Sequence, residues 1–307
     1  SIGPLGYAMQ QYGTFVEKGI ERVHPMAPAQ NYPGVIASEV AIQFGIRGPA
    51  MTISTACTSG ADAIGLALSQ LRAGVVDVAI AGASEAPLFP ALYASFDRLG
   101  LMSRWQGDPA EACRPFSRSR DGLVLSEGAA VCILETAASA EARPATMLAE
   151  LAGFAATSDA YHHFHQLPSG EEAARAIQEA LDDAGVDPAD VDYVSAHGTA
   201  TASNDAVETQ VIKMTFGARA PVLPVSSIKS MMGHTMGASG AFAVIACVKA
   251  LNDGLLPPTI NLYDSDPACD LDYVPNVARP AAVRTVVSNT FGFGSRNAVL
   301  VIKAFDS

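Results

Sequence analysis

Two stretches of this chain follow one plan, and that repetition limits the fold more than any other feature. The first is STACTSGADAIGLALSQLRAG, with DGLVLSEGAAVCILE downstream. The second is SIKSMMGHTMGASGAFAVIACVKALNDG, with SNTFGFGSRNAVLVIK downstream. Each reads as a strand, a polar reactive residue, an SGA triplet, an apolar helix and a glycine. A glycine-rich turn between two apolar strands follows later. Such a chain is expected to fold as two similar halves that face each other. The join lies near residues 138–144, which gives 1–140 for the first half and 141–307 for the second. The repeat predicts that Cys57 and His234 occupy corresponding positions.

Local patterns fill in the plan. Residues 51–56 (MTISTA) read as a buried strand, and Ala61, Ile64, Leu68 and Leu71 then recur at helical spacing. Arg72 and Gly74 close that helix as a basic last turn and a C-terminal glycine. Residues 75–81 (VVDVAIA) read as the next strand, making a strand–helix–strand unit with parallel strands. Further strands are predicted at 191–196 and 224–228, followed by helices at 206–216 and 237–251. Abundant Ala and Gly let such elements approach closely, as a layered α/β fold requires. With 49% hydrophobic residues over 307 positions, a large core can be buried.

The net charge of −12, from 31 acidic and 19 basic residues, argues against a nucleic-acid partner. Five cysteines with wide spacings and no CxxC pair read as reduced thiols, which predicts a cytoplasmic protein. No apolar run reaches the roughly 18 residues of a membrane span.

Cys57 falls where a strand turns into a helix. Unpaired N–H groups at a helix start favour a thiolate and can hold an oxyanion. Alone, Cys57 reads first as a small buried hydrophobe, the usual fate of a free cysteine. His197 in HGTAT and His234 in GHTMGASGA also sit at strand-to-helix corners, where α/β sites collect. Each alone reads as a structural histidine as well. Lys229 ends an apolar strand, which predicts partial burial. The run TFGFGSRN reads either as a tight hairpin or as a mobile loop with an aromatic gate at Phe293. His162, His163 and His165 lack the helical spacing or neighbouring cysteine of a metal site, so no metal is expected.

Taken in order, STACTSG, HGTAT, SIKSMMGHTMGASGA and SNTFGFGSRN resemble the β-ketoacyl-acyl-carrier-protein synthases. The likeness is to the elongating type II synthases of fatty acid synthesis and to type II polyketide ketosynthase subunits. CRPFSRSRDGLVLSEGAA, TSDAYH and LPPTINLYDSDPACDLDYVPN extend it over the whole chain. The resemblance implies a duplicated thiolase-like fold of five α-β-α-β-α layers. It also implies about a hundred further residues ahead of Ser1, whose absence would expose sheet edges and core.

The resemblance assigns roles residue by residue. Cys57 matches the acylated nucleophile, and His197 and His234 the pair that serves decarboxylation. Lys229 matches the lysine that orders the site through an acidic network, here Asp205 and Glu208. Phe293 matches the gate whose N–H joins that of Cys57 in an oxyanion hole. Thr199 and Thr201 match threonines that bind phosphopantetheine, and Ile2 and Phe96 match acyl-pocket positions. The implied reaction is decarboxylative condensation of malonyl-acyl carrier protein with an acyl chain held on Cys57. No cofactor is implied beyond the carrier's phosphopantetheine. The implied partners are acyl carrier protein, met by basic residues such as Arg22, and a second subunit in a homodimer or in a heterodimer with a chain-length factor. A non-catalytic chain-length subunit would lack Cys57. A thiolase or starter-unit synthase would carry a second cysteine or an asparagine in place of one histidine. Two departures stand out: Ala243, where an acidic residue is usual, and GFGSRN, where GFGGTN is usual.

Overall fold

The computed structural model describes residues 2–305. The chain begins with α1 (Leu5–Lys18), α2 (Ala27–Gln30) and α3 (Val35–Phe44). Helix α4 (Ser59–Arg72) leads to β1 (Val78–Glu85), α5 (Pro90–Arg98) and β2 (Gly128–Glu135). After α6 (Ala137–Glu141) come β3 (Glu150–Ser158), α7 (Glu171–Ala184), β4 (Tyr193–Ser195) and α8 (Ala202–Phe216). The rest comprises β5 (Val225–Ser226), α9 (Lys229–Met232), α10 (Ser239–Asp253), β6 (Leu255–Leu256), β7 (Arg279–Pro280), β8 (Thr285–Gly292) and β9 (Arg296–Lys303).

The main sheet has the order β3-β9-β8-β4-β5. Strand β4 runs parallel to β5 and β8, while β9 runs antiparallel to β8 and β3. Successive residues alternate between its faces, as a pleated strand demands. Val287, Val299 and Val301 pack with Ile177 and Leu181 of α7 and Val211 and Ile212 of α8. Val286, Leu300 and Ile302 point the other way, onto Ile64 of α4 and Val244 and Cys247 of α10. Helices α4 and α10 in turn carry the β1–β2 pair on their far side. Four of the five expected layers are therefore present among the described residues. The outer face of β1–β2 is open, with Ile80, Val131 and Ile133 exposed. Among residues 2–55 only Ala27 is buried.

Helices α4 and α10 match in register. Ser59-Gly60-Ala61 and Ser239-Gly240-Ala241 open them, each after one 3-10 turn, Ala56–Thr58 and Met236–Ala238. Both turns start on a left-handed residue, Ala56 at φ 57° and Met236 at φ 49°. The glycines allow a reciprocal crossing: a Cβ on Gly60 would sit 3.0 Å from Ala241 N, and one on Gly240 would sit 2.7 Å from Ala61 N. This register corrects one expectation. Cys57 corresponds to Gly237, and His234 lies three residues earlier in its own copy.

Other expectations hold or shift. Helix α4 buries Ala61, Ile64, Leu68 and Leu71. It ends as predicted, with Gly74 N donating to Leu71 O and Val75 N to Gln70 O. Residues 51–55 form no strand. A strand exists only through a partner's hydrogen bonds, and β1 pairs with β2 alone, antiparallel. The predicted parallel unit around α4 is therefore absent, whereas the β4–α8–β5 crossover is parallel as expected.

Gly240→Ala is expected to cost about 1–3 kcal/mol of stability, because its Cβ would press on the α4 backbone. Gly13→Ala in α1, where an added Cβ meets nothing within 4 Å, should stabilise by about 0.5–1 kcal/mol. Urea unfolding measures both; a Gly240→Ala protein as stable as its parent would show that the crossing has room.

Candidate active site

The α4–α10 crossing sets two reactive groups face to face. Cys57 lies in the turn before α4 and is buried. His234 is held by its backbone, its N–H donating to Val124 O (2.7 Å) while its carbonyl accepts from Ser126 N (3.0 Å). Its Nε2 lies 3.3 Å from Cys57 Sγ. His197 stands at the end of β4 with its ring 5.4 Å from that of His234, the planes crossing at 87°.

Helix α8 fixes the His197 corner. Glu208 accepts from His197 N (2.8 Å) and Gly198 N (2.7 Å). Asp205, one turn earlier, accepts from Thr199 N (3.1 Å) and Phe116 N (2.7 Å). Both carboxyls are fully buried, and burial pushes both pKa values up. The backbone donors oppose that shift, because N–H groups aimed at both oxygens favour the carboxylate. Lys229 is buried too, and burial lowers its pKa while the charge of Glu208 opposes the drop. Its Nζ donates to His197 O (2.6 Å) and lies 3.4 Å from His197 Nδ1. With Nδ1 accepting, the ring proton of His197 sits on Nε2. The acidic surroundings of Lys229 thus come from α8, and Ala243 leaves them intact.

Both histidines are held neutral. Burial lowers their pKa values well below the ordinary figure, and Lys229 lowers them further. Cys57 departs from the sequence expectation of an easily ionised thiol. Burial pushes it up to about 11, against the opposing effects of Lys229 and an N–H bond from Phe293. The resting group is a thiol because desolvation outweighs the helix start.

A narrow cavity of about 60 Å³ joins these groups. Cys57, His197, His234, Phe96, Phe293, Thr199 and Thr201 all line it. Thr199 and Thr201 share a hydroxyl hydrogen bond of 2.9 Å. Phe293 stacks on Phe96 at 5.9 Å. Gly292 lies close behind Cys57, since a Cβ there would sit 3.3 Å from Cys57 N. Ile2 does not line the cavity. Its N–H is tied instead to Glu85 (3.2 Å), which also accepts from Gly237 N. Leu101, Leu123 and Met236 supply the apolar wall, and periodicity gave no sign of them.

The histidine-rich loop is tied to the turn that follows Phe293. Gly294 N donates to His163 O (2.7 Å), and Asp159 N to Ser295 O (2.8 Å). Ser295 Oγ accepts from Tyr161 N (3.1 Å) and His162 N (3.0 Å) and donates to His162 O (2.9 Å). Phe164 meets Phe293 edge-on at 6.5 Å. Among the described residues no group of three His, Cys, Asp or Glu is placed to hold a metal ion. No helix among them is long and apolar enough to cross a membrane.

Comparison with known proteins agrees with this geometry. Residues 4–140 match the family described as "Beta-ketoacyl synthase, N-terminal domain", and residues 148–263 match "Beta-ketoacyl synthase, C-terminal domain". The 3-oxoacyl-(acyl-carrier-protein) synthase 2 of Staphylococcus aureus (strain COL) is 42% identical over 292 residues, covering 95% of this chain and 70% of that protein. The chain belongs to the β-ketoacyl synthase family. A "Putative polyketide beta-ketoacyl synthase 1" of Streptomyces cyaneus is 49% identical over 270 residues, which are 88% of this chain and 64% of that protein's length. A type II polyketide ketosynthase, solved in the AntDE:AntF complex with its acyl-carrier protein and bound to a hexaketide, superposes with a TM-score of 0.95 at 37% identity. It covers 98% of this chain and 76% of that one. The ishigamide ketosynthase/chain length factor superposes with a TM-score of 0.92 at 35% identity, over 100% of this chain and 74% of that one. The fold of this family member is therefore the duplicated thiolase-like one.

Two measurements probe the site. Iodoacetamide labelling of Cys57, read by peptide mass, is expected to rise about tenfold per pH unit between about pH 7 and 10, because a thiol raised by burial gains thiolate only as pH nears its pKa. A plateau below the ordinary thiol value of 9.0 would contradict it. Ser295→Gly should speed amide hydrogen exchange at residues 161–165 and 291–295, since three hydroxyl hydrogen bonds are lost; unchanged exchange would mean the backbone bonds alone hold this turn.

Proposed function

We propose that this chain performs decarboxylative Claisen condensation, joining a malonyl thioester to an acyl group carried on Cys57. One observation carries the reading: Cys57, His234 and His197 converge in a single buried cavity, with Sγ 3.3 Å from His234 Nε2 and the two rings crossed at 87°. The half carrying the nucleophile is residues 1–140, and the half carrying both histidines and the gate is 141–307.

In the first step Sγ attacks the carbonyl carbon of an incoming acyl thioester. The thiol proton passes to His234 Nε2, which a buried thiol needs because it is not ionised at rest. Negative charge on the carbonyl oxygen is taken by the N–H groups of Cys57 and Phe293. The old C–S bond breaks, and the departing thiolate takes the proton from His234.

In the second step a malonyl thioester enters. His197, and His234 in its Nε2–H form, donate to its carbonyl oxygen. The bond to the carboxylate breaks, carbon dioxide leaves, and the electron pair passes into an enolate held by both donors. Neutral imidazoles suit this role, since each gives a hydrogen bond without surrendering its proton. The enolate carbon attacks the acyl carbon on Cys57, the thioester bond to Sγ breaks, and the departing thiolate takes up one proton from solvent, which restores the resting thiol. Lys229 positions His197 and keeps it neutral, while Asp205 and Glu208 hold the corner.

No metal or redox cofactor enters the steps as written. The substrates come on the phosphopantetheine of an acyl carrier protein, with Thr199 and Thr201 near the arm and Phe96 near the acyl chain. A second subunit, identical or a chain-length factor, and a cytoplasmic location complete the proposal. The acidic carrier would meet basic residues such as Arg22.

Mass spectrometry of the intact protein after exposure to an acyl thioester is expected to show one acyl adduct, at Cys57, and none in Cys57→Ala. His197→Ala should still acylate but lose about 10²–10³ in malonyl decarboxylation, the loss expected for one oxyanion donor. An adduct at another residue, or full decarboxylation without His197, would sink the proposal.

A further inference from the structure

Four charged groups are buried beside the His197 corner. Asp205, Glu208 and Lys229 are buried, and the Arg120 side chain is only 6% exposed. A buried charge lasts only where an opposite charge and hydrogen bonds offset its lost water. Glu208 and Lys229 serve each other, since Glu208 is the charge that most opposes the drop of the lysine pKa on burial. Lys229 Nζ is further engaged by His197 O (2.6 Å). Asp205 needs a different cation.

Arg120 meets that need. Its Nε lies 3.8 Å from Asp205 Oδ2, an ion pair longer than a hydrogen bond. Nε also donates to Thr201 O (3.3 Å), Nη2 to Ala202 O (3.3 Å), and Nη1 to Ser117 O (2.8 Å) and to the Asp266 carboxylate. A planar fork of five N–H donors suits such a junction, which a lysine could not fill. An ion pair with Asp266 alone would explain less. Asp266 is partly exposed, and it has Ala268 N (2.9 Å) and the charge of Arg118 besides. The donors sent to the Thr201 and Ala202 carbonyls serve the corner instead. Gly122 N adds a bond to Ala200 O (3.1 Å), where the chain is left-handed at φ 64°. Residues 117–122 of the first half thus hold residues 200–202 of the second.

We propose that Arg120 is a positioning residue for decarboxylation: its charge keeps Asp205 an acceptor, and Asp205 in turn keeps the backbone at His197 set. This rests on the reading of His197 as a donor to the malonyl carbonyl. Asp205 accepts from Thr199 N (3.1 Å) and from Phe116 N (2.7 Å). Phe116 backs Gly198 directly, since a Cβ on Gly198 would sit 2.9 Å from its ring. Without the guanidinium, Asp205 takes up a proton to shed its unpaired charge. The new O–H then stands among groups that all donate to that carboxyl, and the corner shifts. Attack by Cys57 uses His234 and the Phe293 N–H, which Arg120 does not touch.

The test follows two half-reactions in the parent, Arg120→Met, Asp205→Asn and the double variant. Carbon dioxide release from malonyl-pantetheine reports on His197. Acylation of Cys57 by the octanoyl thioester of hexanethiol, which has no arm to meet the 199–201 loop, reports on the nucleophile. Arg120→Met is expected to lose about tenfold more in decarboxylation than in acylation, because small displacements of a positioned group cost that much. Adding Arg120→Met to Asp205→Asn, whose side chain is already neutral, should cost far less than adding it to the parent. Equal losses in both half-reactions, or the same loss in both backgrounds, each overturns the proposal. If Arg120→Met does not fold, Arg120→Lys carries the same cycle, with a smaller loss in the same direction. Nitrogen-15 NMR of the histidine rings separates this inference from the reading beneath it. A parent protein that releases no carbon dioxide sinks the condensation reading. A His197 signal that moves in Arg120→Met, but not when that change is added to Asp205→Asn, would then still support the positioning role; a signal indifferent to Arg120 would reject it.

Discussion

The site depends on how closely α4 and α10 cross. Each helix presents a glycine to the other's backbone, Gly60 against Ala241 and Gly240 against Ala61. The reactive turns sit at the N-terminal ends of these helices, so the crossing distance sets the distance between Cys57 and His234. A side chain at either glycine would press on the facing helix backbone and force the crossing apart. The left-handed Ala56 and Met236 have the same logic. Such residues cost free energy locally and persist where surrounding packing holds them. Here they turn the chain sharply enough to bring Cys57 into the cavity.

Burial then decides the electrostatics. Water is excluded from Cys57, both histidines, Lys229, Asp205 and Glu208 together. Each group is driven toward its neutral form, which raises the thiol and carboxyl pKa values and lowers those of lysine and the imidazoles. The arrangement resists this unevenly. Glu208 and Asp205 receive backbone N–H bonds and remain acceptors, so the His197–Thr199 corner keeps its shape. The histidines receive no such help and stay neutral. One desolvated pocket therefore holds a thiol that needs a proton acceptor beside two imidazoles able to exchange protons.

Much of this was legible in the sequence because it was periodic or locally punctuated. The SGA triplets marked both helix starts, the apolar spacing marked α4 and α10, and the corner at His197 fell where β4 ends; His234 follows the short helix α9 instead of the expected strand. What sequence missed depended on neighbours. Residues 51–55 have the composition of a strand but no strand beside them. The equivalence of Cys57 with Gly237 needed the turn geometry, since both copies hold a reactive residue near the same place. The helix start at Cys57 predicted an ionised thiol, but the depth of burial is a tertiary property and acts in the opposite direction. The run HFHQ drew notice for its histidines, while its contributions to the cavity are Phe164, His165 and Gln166.

Phe293 ties the cavity wall to the reactive sulfur. Its ring lies on Phe96 and meets the edge of Phe164, while its backbone N–H points at Cys57 Sγ. The turn that permits both runs through Gly294 at φ 80° and Ser295 at φ 61°. The ring that packs on Phe96 and the N–H that reaches the sulfur belong to one residue, so the cavity wall and the surroundings of Cys57 are set together. The Ser295 hydroxyl, bonded to three backbone groups of residues 161 and 162, fastens that turn to the loop whose Phe164, His165 and Gln166 line the same cavity, so one set of backbone bonds holds both the turn beside Cys57 and the wall opposite it.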